Sequence, residues 1–502
     1  MSIQRPSAPA LVRGLVLTAA VAVILANVIG TGVFLKARVM TCNVGTPGMV
    51  LTVWLVAGLL SLAGALTYAE LGAMMPRSGG EYNFLGAAYG RRWAFLNGWM
   101  RTLIGQTGAQ AAVAVACVIF LNDLVGGSLG ETTVRLLPVA VVALGTALNL
   151  ASVRASGSIA TALTAIKVSL VLAIGVGGFL WAGGAIEHFT MSGAAGTCEG
   201  VADSTKLGVA GFAAAMLAAL WGYDGWNTLT HVGGEVRDPG KNIPRALIGG
   251  VLGITALYLF VNAAYFYVLT PEAVAGVPAA SSVAREAALR FFGPAVVGVM
   301  AAGLMASSFG TLHTSILSGA RITYAMARDG LLPSVLGSVS AKARVPAAAV
   351  LLHGTWASLL ALSGSFDMLT DYVIFGSWIF YGMAAAAVFV LRRRWPDAER
   401  PYRTWGYPVV PALFLLVTAF LLVMTLVSAW PQVSGGIVAL ADGRLWDGIR
   451  GICGAPPIAG ILLIAAGLPI YAYYARRAGP EPPREYWATE AASEAVLQGP
   501  PD

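Results

Sequence analysis

The chain has 502 residues, of which 57% are hydrophobic and only 11% charged, against about 45–50% apolar and about 25% charged in a soluble domain. With a mean hydropathy of +0.75, there are too few charges to cover a water-soluble globule and too much apolar character for a disordered chain. Four cysteines are too sparse for a secreted disulfide scaffold. The formal net charge of +7 sits in short clusters between apolar runs, such as Arg392-Arg393-Arg394 and Arg476-Arg477. No basic stripe interleaved with aromatics marks a nucleic-acid groove. What remains is an all-α polytopic membrane protein, a class in which 61 glycines and 25 prolines are tolerated because neighbouring helices re-satisfy freed backbone groups.

A spanning helix needs about 20 mostly apolar residues, and the sequence predicts twelve. They run Leu11–Met40, Pro47–Met74, Trp93–Leu121, Thr133–Ala151, Ser156–Trp181, Leu207–Val232, Pro244–Leu269, Pro294–Ala327, Val345–Leu362, Tyr372–Leu391, Trp405–Trp430 and Pro456–Ala475. The first run is too long for a signal peptide and shows no small-residue cleavage site. An even number of spans places both termini on one side. With the amino terminus cytoplasmic, most Lys and Arg residues fall in cytoplasmic loops, so both termini are expected inside a plasma or inner cell membrane. Arg101 and Lys167 are singled out as cations within spans. The expected organisation is a tail (1–10), a first five-helix repeat (11–203), a second (204–392), two further helices (393–478) and a polar tail (479–502) lying outside the packed body.

Two spans are interrupted. The first carries Ile29-Gly30-Thr31-Gly32 and the sixth Trp221-Gly222-Tyr223-Asp224-Gly225. Glycine pairs also let helices pack closely, but these two open consecutive five-helix sets. Five is odd, so the second set enters from the opposite face, as in an inverted-repeat transporter with its site where the broken helices meet. A half-helix N-terminus suits a carboxylate, and freed carbonyls suit an ammonium. Thr31 and Gly32 are therefore expected near the carboxylate of an amino acid, with Gly30 and the Gly222–Gly225 backbone near its amine.

These breaks, together with Tyr68-Ala69-Glu70-Leu71, Pro76-Arg77-Ser78-Gly79-Gly80-Glu81-Tyr82, Gly234-Glu235-Val236-Arg237-Asp238-Pro239, Tyr324-Ala325-Met326-Ala327-Arg328-Asp329-Gly330 and Arg400-Pro401-Tyr402-Arg403, form an ordered set. In it the chain resembles the amino acid–polyamine–organocation superfamily, and within that its L-type amino acid transporter branch. The resemblance covers nearly the whole membrane body. It implies a LeuT-type fold of five plus five inverted helices with two more, alternating access, and Trp221 as the aromatic gate over the substrate. It also implies that Lys167 stands where sodium-coupled relatives bind the ion, bridging to Ser307 and Ser308 on the eighth helix and making transport sodium-independent. A desolvated lysine leaves proton coupling open as well.

Asp224 has two readings: a ligand for the cationic end of arginine, lysine or ornithine, or a cap accepting N–H bonds from Trp226 or Asn227, a role aspartate favours. Arg101 is expected to pair with Glu70 or Glu81. His188, His231, His313 and His353 are scattered, so neither a metal nor a cofactor is expected, and no phosphate loop points to ATP drive. Cys42, Cys198 and Cys453 share the outer face, where one disulfide fits but the pair stays open. Animal L-type members attach to a glycoprotein through a cysteine after the third helix. The loop Asn122-Asp123-Leu124-Val125-Gly126-Gly127-Ser128 has none, so no covalently attached heavy subunit is expected. The sequence thus points to a sodium-independent amino acid exchanger, with a cationic amino acid or polyamine permease, a proton symporter, and a non-transporting amino acid sensor as alternatives.

Overall fold

The computed structural model describes residues 14–77, 79–151, 156–192, 196–340 and 345–488. The expected first tail and the start of the first span at Leu11 lie outside them. Apart from one parallel bridge between Leu15 and Val236, the ordered elements among these residues are helical.

The first apolar run forms α1 (Leu17–Val28) and α2 (Gly32–Val44), bent by 47° at their junction. Next come α3 (Pro47–Met74) and the short α4 (Glu81–Tyr89). The third span is α5 (Arg91–Met100), a wide π-type turn (Arg101–Gly105) and α6 (Gln106–Leu124). It is followed by α7 (Glu131–Ala151) and α8 (Ser156–Leu180). The second half opens with α9 (Gly208–Tyr223) and α10 (Thr228–His231), separated by a non-helical stretch. It continues with α11 (Pro239–Val268), α12 (Pro271–Ala275), α13 (Val283–Phe291), α14 (Gly293–Arg328), α15 (Ala347–Ser363) and α16 (Phe366–Arg394). After these come α17 (Val409–Ala441), α18 (Leu445–Cys453), α19 (Pro456–Ala465) and α20 (Gly467–Ala475).

Among the described residues, eight helices are long and apolar enough to cross a membrane, nine with the bent α1/α2 pair counted as one span. Shorter apolar helices, Thr164–Leu180, α9 and α15, lie where the fifth, sixth and ninth spans are expected. Several expected boundaries move by a few residues, and two move furthest. α16 begins at Phe366 rather than Tyr372, because Asp367 interrupts the apolar run in sequence but meets Lys36 in space. α17 runs through Pro431 to Ala441 rather than ending at Trp430.

The packing is paired. α2 lies along α9, α3 along α11, α6 along α14 and α7 along α15, four spans of the first half against their counterparts in the second, while α8 lies on α11 and α14. The distant motifs also meet. Glu70, at the end of α3, accepts from Arg392 Nε and Nη2 at 2.9 and 2.7 Å and from the Thr404 amide at 2.7 Å. Arg392 in turn covers the Tyr407 ring at 3.7 Å. Of the cysteines, Cys42 and Cys198 form the disulfide, fastening α2 to the loop before α9, while Cys117 and Cys453 are free.

The expectation that the chain leaves the packed body after Gly479 is wrong. Residues 479–488 fold back as a strap over α4. The Arg91 amide donates to Glu481 Oε1 at 2.8 Å, Arg484 Nη1 to Gly86 O at 2.9 Å, and Arg77 Nη1 to Tyr486 O at 2.6 Å. Trp487 is 2% exposed and meets the Tyr82 ring edge-on. A Cβ at Gly86 would stand 2.3 Å from its indole, so only glycine admits that ring. The polar composition hid this, because two aromatics and an arginine suffice to dock the segment. Trp487→Ala is expected to destabilise the protein by about 3 kcal/mol, as large buried aromatics do when truncated, and to lower its melting temperature in detergent. An unchanged melting temperature would show the strap to be undocked.

Candidate functional site

The two broken helices face each other across the middle of the body. A Cβ on Gly32 would lie 2.6 Å from Gly222 Cα, so the two backbones touch and neither position has room for a side chain. The breaks release carbonyls that lipid cannot satisfy. The Tyr258 hydroxyl of α11, fully buried, stands 2.9 Å from Val28 O and 2.9 Å from Gly222 O and shares its one proton between them. Tyr223 donates its hydroxyl to Trp54 O at 3.0 Å.

Beside this junction is a cavity of about 470 Å³. Its wall includes Gly30, Thr31, Gly32, Trp221, Asp224, Gly225, Lys167 and Ser307 from the expected set. Ile29, Gly222 and Tyr223 stand behind that wall, while Ser308 lines a small adjoining pocket of about 20 Å³ with Lys167 and Ser307. Asn27, Arg101, Gln106, Thr311, Ser315, Ser377 and Tyr381 also line the main cavity. They belong to no motif, and only the three-dimensional meeting of α1, α6, α14 and α16 gathers them.

Gly32 opens α2, so the amide end of that helix lies at the cavity. Trp221 donates its indole N–H to Thr31 Oγ1 at 3.2 Å and meets the Phe366 ring edge-on. Beyond it the path is shut. Lys36 Nζ, wholly buried, donates to Asp367 Oδ1 at 2.7 Å and to Thr370 Oγ1 at 2.6 Å, and Arg38 reaches Asp367 Oδ2 at 3.1 Å. Sequence reading took Arg101 and Lys167 as the cations within spans and passed over Lys36 and Arg38. Their position only 4 and 6 residues past Gly32, inside the same run, was the signal available. The opposite flank is wetter, with Asn27, Thr314 and Ser318 exposed.

Lys167 Nζ donates to Thr311 Oγ1 at 2.9 Å, one turn along α14 from Ser307, whose buried hydroxyl has no hydrogen-bond partner. Asp224 does not cap the second half-helix. α10 starts after Asn227 without a side-chain cap, and Asp224 Oδ1 instead accepts the Tyr381 hydroxyl at 2.9 Å. Of the two partners expected for Arg101, Glu70 is taken by Arg392 and Glu81 receives it at 3.4 Å. Glu81 also accepts from His231 Nε2 at 2.6 Å and from Asn227 Nδ2. Burial alone would raise its carboxyl, but His231 and Arg101 beside it hold it at about 2.

A family profile described as amino acid permease matches residues 15–439. The chain is 33% identical to the serine/threonine exchanger SteT of Bacillus subtilis (strain 168), over 82% of this chain and 90% of that one. It is 30% identical to the b(0,+)-type amino acid transporter 1 of Mus musculus, over 82% and 83%. To the large neutral amino acids transporter small subunit 2 of the same animal it is 31% identical, over 85% and 79%.

Two measurements test this geometry. The depressed Glu81 carboxyl adds stability that is full above its ordinary pKa and is lost as pH falls towards about 2. Melting temperature is therefore expected to hold at pH 5 and fall below about pH 4.5, with a smaller fall in Glu81→Gln. Lys36→Met leaves Asp367, whose side chain is 29% exposed, with Arg38 as its ion-pair partner, at a cost of about 2 kcal/mol. Lys206→Ala, which breaks the exposed pair with Asp203, is expected to stay within about 0.5 kcal/mol; equal effects would count against a buried latch.

Proposed function

The chain belongs to the amino acid permease family and is a multi-pass membrane amino acid transporter, not an enzyme; on that premise we propose that it is a sodium-independent exchanger of L-amino acids working by alternating access. The observation that carries the reading is the contact of the two helix breaks at the wall of one cavity, with Gly32 against Gly222 and Tyr258 across both. The pairing of α2 with α9, α3 with α11, α6 with α14 and α7 with α15 supports a LeuT-type arrangement. On this reading twelve spans are made of two inverted sets of five and a final pair, with both termini cytoplasmic.

The substrate carboxylate sits at the first turn of α2, against Thr31 and Gly32, where unpaired amides and the helix dipole favour an anion. Its amine lies at the carbonyls of Gly30 and of the Trp221–Gly225 stretch. The Gly222 carbonyl already receives Tyr258, so Gly30 and the carbonyls around Asp224 and Gly225 carry most of that contact. Trp221 is the lid on the side closed by Lys36 and Asp367, and the described conformation is the one open to the other side. Opening the closed side requires the Trp221–Thr31 bond and the Lys36–Asp367 pair to separate while the other side closes.

Lys167 fills the place of a sodium ion. Its ammonium, tied to Thr311 and next to the free hydroxyl of Ser307, supplies a fixed positive charge where a coupling ion would otherwise bind. No cofactor enters the cycle, and the amino acid itself is the driver and the cargo.

The test is counterflow in proteoliposomes containing the full chain. Accumulation of labelled leucine or serine is expected only when unlabelled amino acid is trapped inside, and to be unchanged when choline replaces sodium. Uptake that needs sodium, or that proceeds equally into empty vesicles, would overturn the exchange reading.

A further inference from the structure

The last two spans are joined by a hairpin whose apolar side is left uncovered among the described residues. α17 holds no charged residue over its 33 positions. At about 1.5 Å per residue it runs to about 50 Å, against a hydrocarbon core of about 30 Å. Its exposed stripe, Leu416, Phe420, Val423, Val427 and Trp430, is the flank of a span that faces lipid. The stripe does not stop at Trp430, a residue that suits the membrane surface. It goes on one heptad to Ile437, with Val438 beside it, both about half exposed.

After the turn Asp442-Gly443-Arg444, α18 returns along that end of α17. Glycines fix its rotation. A Cβ on Gly451 would stand 2.6 Å from Gly436 Cα, and one on Gly448 would stand 2.3 Å from Leu440 Cγ, so this side of α18 lies on α17. At about 100° per residue, Leu445, Trp446, Ile449 and Cys453 share one arc on a second side, and Asp447 and Arg450 take the third. All four residues of the arc are exposed, Trp446 by 79%. With its glycines held against α17, the helix cannot turn that arc inward. Arg444 pairs with Asp442 and Asp447 at 3.3 and 3.6 Å, which leaves Arg450 as the hairpin's one cation without an ion pair among the described residues.

The bilayer is the cover these features fit. The uncovered surface continues the lipid-facing stripe of a span, it carries a tryptophan, and the unpaired Arg450 stands at the edge of the apolar arc, where headgroup phosphates lie above the acyl chains. We propose that residues 432–453 form an interfacial hairpin in the headgroup layer, with the apolar arc of α18 against the acyl chains and Arg450 at lipid phosphates. The proposal needs only a membrane-embedded chain, so it stands or falls separately from what the protein carries.

The experiment places a bimane fluorophore on the full chain in phosphatidylcholine proteoliposomes, at Ile449→Cys or at Asp447→Cys in a Cys117→Ala/Cys453→Ser background. Ile449 lies mid-arc and Asp447 on the opposite side of the helix. Lipids brominated along their acyl chains are expected to quench the label at position 449 about twofold more than the label at 447, and aqueous iodide the reverse, as for a helix whose apolar face sinks into the boundary of headgroups and chains. Equal quenching by the brominated lipid at the two positions overturns the proposal, as does iodide reaching 449 as readily as 447. Protection of 449 from both quenchers overturns it too, because a second copy of the chain then covers the face. Should the variants fail to fold, the wild-type chain decides. Cys117 is buried and Cys42 is bonded to Cys198, so the label goes to exposed Cys453 of the same arc. Stronger quenching there by brominated lipid than by iodide upholds the proposal, and the reverse overturns it.

Discussion

One tyrosine hydroxyl carries the constraint on which the rest of the architecture depends. A helix broken within a membrane leaves backbone groups that lipid cannot bond, and this chain breaks two of them side by side. Tyr258 stands between the ends, 2.9 Å from the carbonyls of Val28 and Gly222, with one proton to share between them. The Gly32–Gly222 contact brings the ends close enough for a single hydroxyl to donate to either. Around that junction the remaining polar groups fall into place: the first turn of α2 at the cavity, Trp221 over Thr31, and the Asp224–Tyr381 bond on the far wall.

The two ends of the molecule are tied together by different chemistry. On the side of Trp221 the seal is a short ion pair roofed by aromatics, with Lys36 and Arg38 on Asp367 and a disulfide at the far end of α2. On the other side Glu81 gathers Arg101 from the third span and His231 and Asn227 from α10 and its start. Buried pairs of this kind contribute less net stability than specificity of arrangement, because desolvation offsets the attraction. That balance suits the alternating access proposed above, in which contacts on either side break and re-form.

Much of this was legible in the sequence. The apolar runs place the eight long apolar helices and the bent α1/α2 pair because membrane insertion depends on local composition, and the breaks show because glycine pairs around Thr31 and Asp224 interrupt those runs. Six of the nine residues expected around the substrate line the cavity. The illegible parts depend on long-range meetings. Lys36 looks like an anomaly until Asp367 arrives from more than three hundred residues away. Thr311 rather than Ser307 holds Lys167 because helix rotation, which hydropathy does not encode, decides which hydroxyl faces it. Asp224 looked like a cap from local spacing, but its partner is on α16. The polar tail misled for the opposite reason, since composition averages away the few aromatics that dock it.

The strap over α4 has a consequence for how the protein is made. Gly86 and Arg484, which it joins, are separated by 398 positions, so α4 leaves the ribosome long before its cover exists. Until the final helix pair is in place, the Tyr82 face and the notch at Gly86 stay open to water, a short apolar surface beside a cationic loop. Docking of Trp487 closes it only when every preceding span has been inserted. A chain arrested before residue 481 therefore displays the bare face of α4, the kind of surface that chaperones and proteases read.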